Sequence, residues 1–294
     1  MESENDLYKE LCRALQLPES FHSIISNVYL PLAKKITNQT TVGGPLFISI
    51  NGAQGSGKST LTQFLKLILQ QVFNHNVVAF SLDDFYLTRA QRKDLAASVH
   101  PLLVTRGVPG THDLVLMQSV MRDLLAQRAC RIPVFDKAID DRVGTEQWQE
   151  QNSAVDIILF EGWCNDSPPQ NNSELVEPIN QLESSEDSDG TWRRYVNQQL
   201  GEYRQSIFKD CHFRIFLKVP GFDQVFQWRL LQEEKLRAQS NHGKALRIMT
   251  ESELRRFIQH YERITRHTLA NYAKQADIVL SIDARHSIRN IVEH

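Results

Sequence analysis

Cysteine is scarce: four residues, at 12, 130, 164 and 211, form no C-x-x-C pair and no disulfide framework. Reduced thiols in a cytoplasmic protein are the expectation. No apolar run approaches the roughly 18 residues that a membrane helix needs. The opening MESENDLYKE is acidic and has no apolar core segment, so no secretory leader is expected. Charge of one sign is missing too. Lys and Arg number 33 against 35 Asp and Glu, a net charge of -2, without the basic stripe of a nucleic-acid binder. What remains is an ordinary globular composition, 41% hydrophobic and 23% charged over 294 residues, enough for one large domain or two small ones.

Residues 1–41 read as an N-terminal helical extension. Phe21, Ile24, Ile25, Val28, Leu32 and Ile36 recur at helical spacing, with Pro31 expected to break or kink the run. From there to residue 294 the pattern alternates β and α. Short apolar strands are predicted at 46–50, 77–82, 155–160, 212–219 and 277–282, with helical stretches between them, the signature of a buried, mostly parallel sheet of about five strands. A helix begins at Lys58 with Leu61, Phe64, Leu65, Ile68, Leu69 and Val72 on one face. Another begins at Thr250, where TESE fits a capping box, with Leu254, Phe257, Ile258, Tyr261, Ile264 and Tyr272 expected to pack on the sheet. Residues 165–190 are rich in Asn, Ser, Pro and acid and contain no Lys or Arg. They read as an acidic polar insertion, a surface loop with at most a short helix near 175–182.

Chemistry enters at Gly52-Ala53-Gln54-Gly55-Ser56-Gly57-Lys58-Ser59-Thr60, which fits G-x-x-x-x-G-K-[ST] between a predicted strand and a predicted helix. Glycines let backbone N–H groups curl around phosphate oxygens, and the helix N-terminus adds partial positive charge. Lys58 would reach the β and γ phosphates and Ser59 would ligate Mg²⁺, so a nucleoside triphosphate such as ATP is the expected ligand. The second strand runs into Asp83 and Asp84. A carboxylate at the C-terminal tip of a parallel strand faces the ligand crevice, where Asp83 would take the proton of an attacking hydroxyl; the alternative is that both acids start a turn. The third strand runs into Glu161, a Walker-B-like position for orienting a metal, whereas Asp156 lies at the opposite end and reads as a cap. Ser59, Asp83 and Glu161 are the candidate metal set.

The segments GAQGSGKST, SLDDFYLT, RGVPGTHD, PVFDKAIDDR and ILFEGW, in this order, resemble the glycerate 3-kinase family of P-loop kinases, in the branch that includes phosphoribulokinase, uridine kinase and pantothenate kinase. The resemblance spans about residues 45–290. It implies a three-layer P-loop NTPase fold with a helical lid. Asp83 matches the catalytic aspartate of the branch, and Glu161 the acid near metal and acceptor. The implied reaction transfers a phosphoryl group from MgATP to D-glycerate, giving 3-phosphoglycerate. Pantothenate, uridine or a sugar-like acceptor are the alternatives within this chemistry, and a nucleotide-dependent ATPase or switch is the alternative outside it.

A carboxylate-bearing substrate calls for a guanidinium or ammonium, with acids or His for its hydroxyls. Arg106, Lys137 and Arg142 are the anion candidates, and His112 and Asp113 the hydroxyl candidates, although Asp113 equally suits a helix cap. The lid is expected at about 221–250. Arg229 is its first candidate for stabilising the transferring group, ahead of Arg237 and of Arg193 and Arg194.

Overall fold

The computed structural model describes residues 2–39, 41, 43–239 and 249–294. Its framework is a six-stranded sheet made of β1 (Leu46–Gly52), β2 (Val77–Ser81), β3 (Ile157–Gly162), β4 (Phe213–Lys218), β5 (Ile278–Ile282) and β6 (Ile288–Glu293), in the order β6-β5-β4-β1-β3-β2. The first five are parallel, and β6 returns antiparallel to β5 along the edge. The five expected strands are all present. The sixth, Ile-Arg-Asn-Ile-Val-Glu, is laced with polar residues because it lies at an exposed edge with one face partly covered.

Period-two alternation divides the apolar residues between two helical layers. Ile48, Ile50, Leu159, Ile215 and Leu217 face a core shared with the helix Lys58–Gln71 and the N-terminal helices; Phe47, Ile158, Phe160, Val78 and Phe80 face the other side. Leu61, Phe64, Leu65, Ile68 and Leu69 are all fully buried. Each contributes about 1.5–3 kcal/mol relative to exposure, which anchors the helix that follows the phosphate loop.

The N-terminal extension is helical over Glu2–Ala14, Phe21–Ile24 and Leu30–Thr37. Pro31 does not break it. A proline lacks the N–H and crowds the carbonyl four residues back, and a π-helical turn at Ile25–Tyr29 absorbs the mismatch, so the helical path continues. Phe21 and Tyr29 pack on Phe64 at centroid distances of 5.5 and 5.8 Å, fixing the extension to the loop helix. The expected capping box at the other end is present: Glu253 N–H donates to Thr250 Oγ1, and Thr250 N–H donates to the Glu253 carboxylate, opening the helix Glu251–Asn271.

Residues 165–190 depart from the loop expectation. Asn165, Asp166 and Ser167 are buried. A 3₁₀ turn covers Asn172–Leu175 and a helix Gln181–Glu186, rather than one helix near 175–182. Two buried acids tie the segment down: Glu183 takes two hydrogen bonds from Arg263 at 2.8 and 2.5 Å, and Asp187 takes one from Arg193 at 3.0 Å. For these two acids the charge read as solvation is ion pairing instead, with a helix 80 residues away for Glu183 and with the next helix for Asp187; Glu174, Glu177, Glu186 and Asp189 stay exposed.

Candidate active site

The first and third strands of the switch point carry their residues to the carboxyl edge of the sheet, where open α/β folds bind ligands. Directly after β1 the chain curls through Gly55 (φ 79°) and Gly57 (φ 90°), backbone conformations that a side chain resists. Gly57 is the N-cap of the helix Lys58–Gln71 and offers no side-chain cap. The first N–H groups of that helix are therefore left for an anion. At Gly55 a Cβ would also stand 3.0 Å from the Cβ of Trp228, so the loop backbone runs against the helix Phe222–Gln239.

Glu161, 7% exposed at the end of β3, accepts a hydrogen bond from Ser59 Oγ at 2.7 Å and lies 3.9 Å from Lys58 Nζ. Its second oxygen, Oε2, is buried without a hydrogen-bond partner. A buried carboxylate oxygen that accepts no hydrogen bond and has only the Lys58 ammonium at 3.9 Å can still take a closer cation, and it points to the place where a metal would be held beside Ser59. Among the described residues no three His, Cys, Asp or Glu side chains form a metal cage. Mg²⁺ uses one or two protein oxygens and completes its shell with phosphate and water, and the Ser59 hydroxyl with the Glu161 carboxylate would suit it.

Asp83 follows β2 in a short 3₁₀ turn. Its Oδ1 accepts from the Tyr86 hydroxyl at 2.8 Å and its Oδ2 from Lys137 Nζ at 2.6 Å. Burial raises its pKa, but the ammonium groups of Lys137 and Lys58 and the two hydrogen bonds outweigh burial and bring it down to about 2. The carboxylate is thus ionised at any physiological pH. Asp84 caps the same turn by accepting from Ser81 N–H at 2.9 Å. Burial pushes its pKa up to about 6, with Asp83 and Glu161 adding to the rise. Asp156 caps the far end of β3, accepting from Asn76 N–H at 2.7 Å.

One cavity of about 750 Å³ contains the loop from Gln54 to Leu61 together with Asp83, Tyr86, Arg106, Lys137 and Arg229. Comparison with known proteins agrees with this arrangement. Residues 47–165 match the model of the phosphoribulokinase/uridine kinase family. The uncharacterized kinase mug58 of Schizosaccharomyces pombe is 34% identical over 229 residues, 74% of this chain and 79% of that protein. The chain belongs to the phosphoribulokinase/uridine kinase family of P-loop kinases. The chloroplastic D-glycerate 3-kinase of Arabidopsis thaliana is 26% identical over 278 residues, 86% of this chain and 57% of that protein. A D-glycerate 3-kinase structure from Cryptococcus neoformans superposes with a TM-score of 0.71 at 23% identity, covering 94% of this chain and 98% of that one, and so shares the fold. Like its family, the protein is an ATP-dependent small-molecule kinase.

Within this kinase the acceptor candidates separate. Arg106 and Lys137 line the cavity. His112, Asp113 and Arg142 lie one layer behind it. His112 is buried, stacks on Tyr86 at 4.6 Å and contacts the Tyr203 hydroxyl at 3.0 Å. Burial lowers its pKa to about 3, so the ring is neutral and offers no charge to an anion. Asp113 caps the helix Leu114–Leu125 through Leu116 N–H and takes Arg142 Nη2 at 3.1 Å; Arg142 also donates to the Tyr86 carbonyl. The cap alternative for Asp113 is the one realised, and the three residues brace the Asp83–Tyr86 segment from behind.

Asn165-Asp166-Ser167, just after β3, places its acid away from the cavity: Asp166 is paired with Arg204 at 3.1 Å and Arg214 at 2.6 Å. Arg229 projects from the helix Phe222–Gln239 into the cavity and bonds Glu233 at 2.6 Å. Arg193 is buried against Asp187 and Arg194 bonds the Asp189 carbonyl, so neither reaches the cavity; the Arg237 side chain and the lid stretch 240–248 lie outside the described residues.

Sequence reasoning missed an aromatic wall. Tyr261 donates to the Arg106 carbonyl at 3.1 Å and packs edge-on against Trp163 at 5.0 Å, while Trp163 Nε1 donates to the Gly107 carbonyl at 2.9 Å. Both rings, with Phe257, line the cavity. The helix Glu251–Asn271 therefore packs on the sheet and also touches the site. Its apolar face reads as core because a tyrosine at a core position looks the same whether its hydroxyl meets a backbone carbonyl or another helix. No described helix is long and apolar enough to cross a membrane.

Proposed function

We propose that the protein transfers the γ-phosphoryl group of ATP to a hydroxyl of a small carboxylate-bearing metabolite, with D-glycerate the substrate and 3-phosphoglycerate the product. The observation that carries this reading is the pairing of Asp83 with Lys137 in the cavity that holds the phosphate loop, whose wall also includes Arg106, itself paired with Asp140. One end receives a triphosphate and the other offers a base beside cationic groups, which is what a hydroxy acid requires.

The phosphate loop N–H groups and Lys58 hold the β and γ phosphates. Ser59 and Glu161 would hold Mg²⁺, which when bound neutralises phosphate charge. Arg106 and Lys137 take the acceptor carboxylate and turn its hydroxyl toward Asp83. The hydroxyl oxygen attacks the γ-phosphorus, the bond to the β-phosphate oxygen breaks and ADP leaves. Asp83 receives the hydroxyl proton. Arg229 meets the negative charge spread over the transferring group, and the Tyr261–Trp163 pair holds the Arg106 backbone in place. The aromatic wall also supports a second acceptor, a longer hydroxy acid such as pantothenate, whose carbon chain would lie on Trp163 and Phe257.

Coupled measurement of ADP release with a panel of hydroxy acids, nucleosides and sugars tests the reading. Release strictly dependent on acceptor, led by D-glycerate, is expected. A silent glycerate with a responding pantothenate or nucleoside rejects the substrate. Equal ATP loss without any acceptor rejects acceptor-directed transfer.

A further inference from the structure

The Arg106 guanidinium in the cavity wall is committed on one side only. Its Nη1 donates to the Asp140 carboxylate, while Nε and Nη2 meet no acceptor among the described residues. Those two groups make up the side-on edge of a guanidinium, whose spacing matches the two oxygens of a carboxylate. The way that edge faces is set by whatever holds Nη1. We infer that Asp140, locked in place by Arg92, is a positioning residue for acceptor choice: by holding Nη1 of Arg106 it presents the Nε–Nη2 edge to the acceptor's carboxylate, and so selects hydroxy acids over neutral alcohols. The inference deepens the kinase reading above and rests on it.

Asp140 is not free to follow Arg106. Its Oδ2 lies 3.0 Å from Arg92 Nη2 and 3.8 Å from Arg89 Nε. Burial acts to raise its pKa, but the hydrogen bonds from Arg92 and Arg106 outweigh burial and hold the carboxyl below its usual range, so it stays charged. Arg92, on the helix Arg89–Ser98, is 2% exposed and divides its donors among three segments. Nε donates to the Leu87 carbonyl at 3.2 Å, Nη1 to the Val104 carbonyl at 3.1 Å and Nη2 to the Asp140 carbonyl at 2.8 Å. Each segment carries a cavity residue close by: Tyr86 before Leu87, Arg106 just past Val104, and Lys137 on the ribbon that bears Asp140. None of the three belongs to the phosphate loop. The Phe135 ring, at the start of that ribbon, lies 5.9 Å from Arg92 Cζ and 5.5 Å from Arg106 Cζ, and meets the Tyr86 ring edge-on at 5.1 Å. Three guanidinium groups thus share one carboxylate, and the surplus positive charge favours an anion beside Arg106.

Two replacements test the assignment, because the left-handed backbone at Asp140 suits both Asn and Gly. Asp140→Asn keeps the shape but leaves one accepting oxygen for two guanidinium groups, and Asp140→Gly removes the carboxylate altogether. Steady-state kinetics of the full chain with D-glycerate, or with pantothenate if that is the acceptor used, should show KM for the acceptor raised about tenfold or more, with KM for ATP within about twofold of the parent. In an Arg106→Met background the presented edge is gone, so the same replacements should lower kcat/KM for the acceptor no further; a merely structural role gives losses that multiply. A parental KM for the acceptor in both variants, multiplying losses in the double variants, or failure of both variants to fold by circular dichroism would each overturn the inference and leave acceptor-dependent ADP release, hence the kinase reading, intact. A parent that transfers phosphate to no carboxylate-bearing acceptor would overturn that reading and this one together.

Discussion

Replacing Lys137 by methionine removes the ammonium that sits 2.6 Å from Asp83 Oδ2 and keeps much of the aliphatic stem. In the intact protein the Asp83 pKa is drawn from 3.8 to about 2, against a burial effect that acts the other way. That shift corresponds to roughly 2 kcal/mol in favour of the ionised form, and less once solvent screening is counted, because the Asp83 side chain is 30% exposed. A depressed carboxyl pKa stabilises the fold above the unfolded value, and the contribution fades as pH falls from about 4 through about 2. In Lys137→Met burial remains while the foremost opposing charge is gone, so the Asp83 pKa moves up, by about 1–3 units for loss of an adjacent cation. The acid limb of kcat/KM for the acceptor, followed from about pH 3 to 8, should then enter the measured range in Lys137→Met and stay below it in the parent and in Lys137→Arg. A Lys137→Met profile that superimposes on the parent after vertical scaling would refute the role of Asp83 as the ionised base under Lys137 control.

Other outcomes follow from the same geometry. Glu161→Gln keeps the Ser59 hydrogen bond but loses the charge, so kcat should fall roughly 10²–10³-fold, with a higher Mg²⁺ requirement in titrations and an unchanged circular-dichroism spectrum. Arg229→Lys keeps a charge but loses the planar fork; kcat should drop about 10–100-fold with little change in KM for ATP, a split that steady-state kinetics resolves. Arg263→Met leaves Glu183, fully buried, with an uncompensated charge, at a cost of about 3–5 kcal/mol in denaturant unfolding. Glu183→Leu together with Arg263→Met should recover most of that loss.

The fold was legible where burial on both faces forces uninterrupted apolar strands, as in β1, β3 and β5, and where backbone geometry demands particular residues, as at Gly55, Gly57 and the Thr250–Glu253 cap. The loop, Asp83 and Glu161 were readable for the same reason: strand ends and spacing dictate where they stand. Three kinds of residue were not. The edge strand Ile288–Glu293 is polar because half of it meets water. Glu183 reads as a solvated acid because nothing local announces that Arg263 lies 80 residues away across a helix interface, and Asp187 because the local pattern does not show that Arg193, six residues on, folds back over it. Tyr261 and Trp163 carry no signature separating an aromatic that fills a core from one that lines a cavity. His112, Asp113 and Arg142 were assigned to the acceptor because they stand in recognised segments; the structure uses them as bracing behind Tyr86.

Asp140 sits at the tip of the short ribbon joining Phe135–Asp136 to Asp141–Arg142, in a left-handed conformation (φ 56°), and is gripped by Arg106 and by the buried Arg92, whose Nη2 lies 3.0 Å away. Lys137 rides on this same ribbon. The ammonium proposed to hold the acceptor is thus mounted on a small, separately fastened tongue, while the phosphate loop is built into the sheet. Such a division would let acceptor preference drift through changes of a few tongue residues, with the phosphoryl-donating apparatus left untouched.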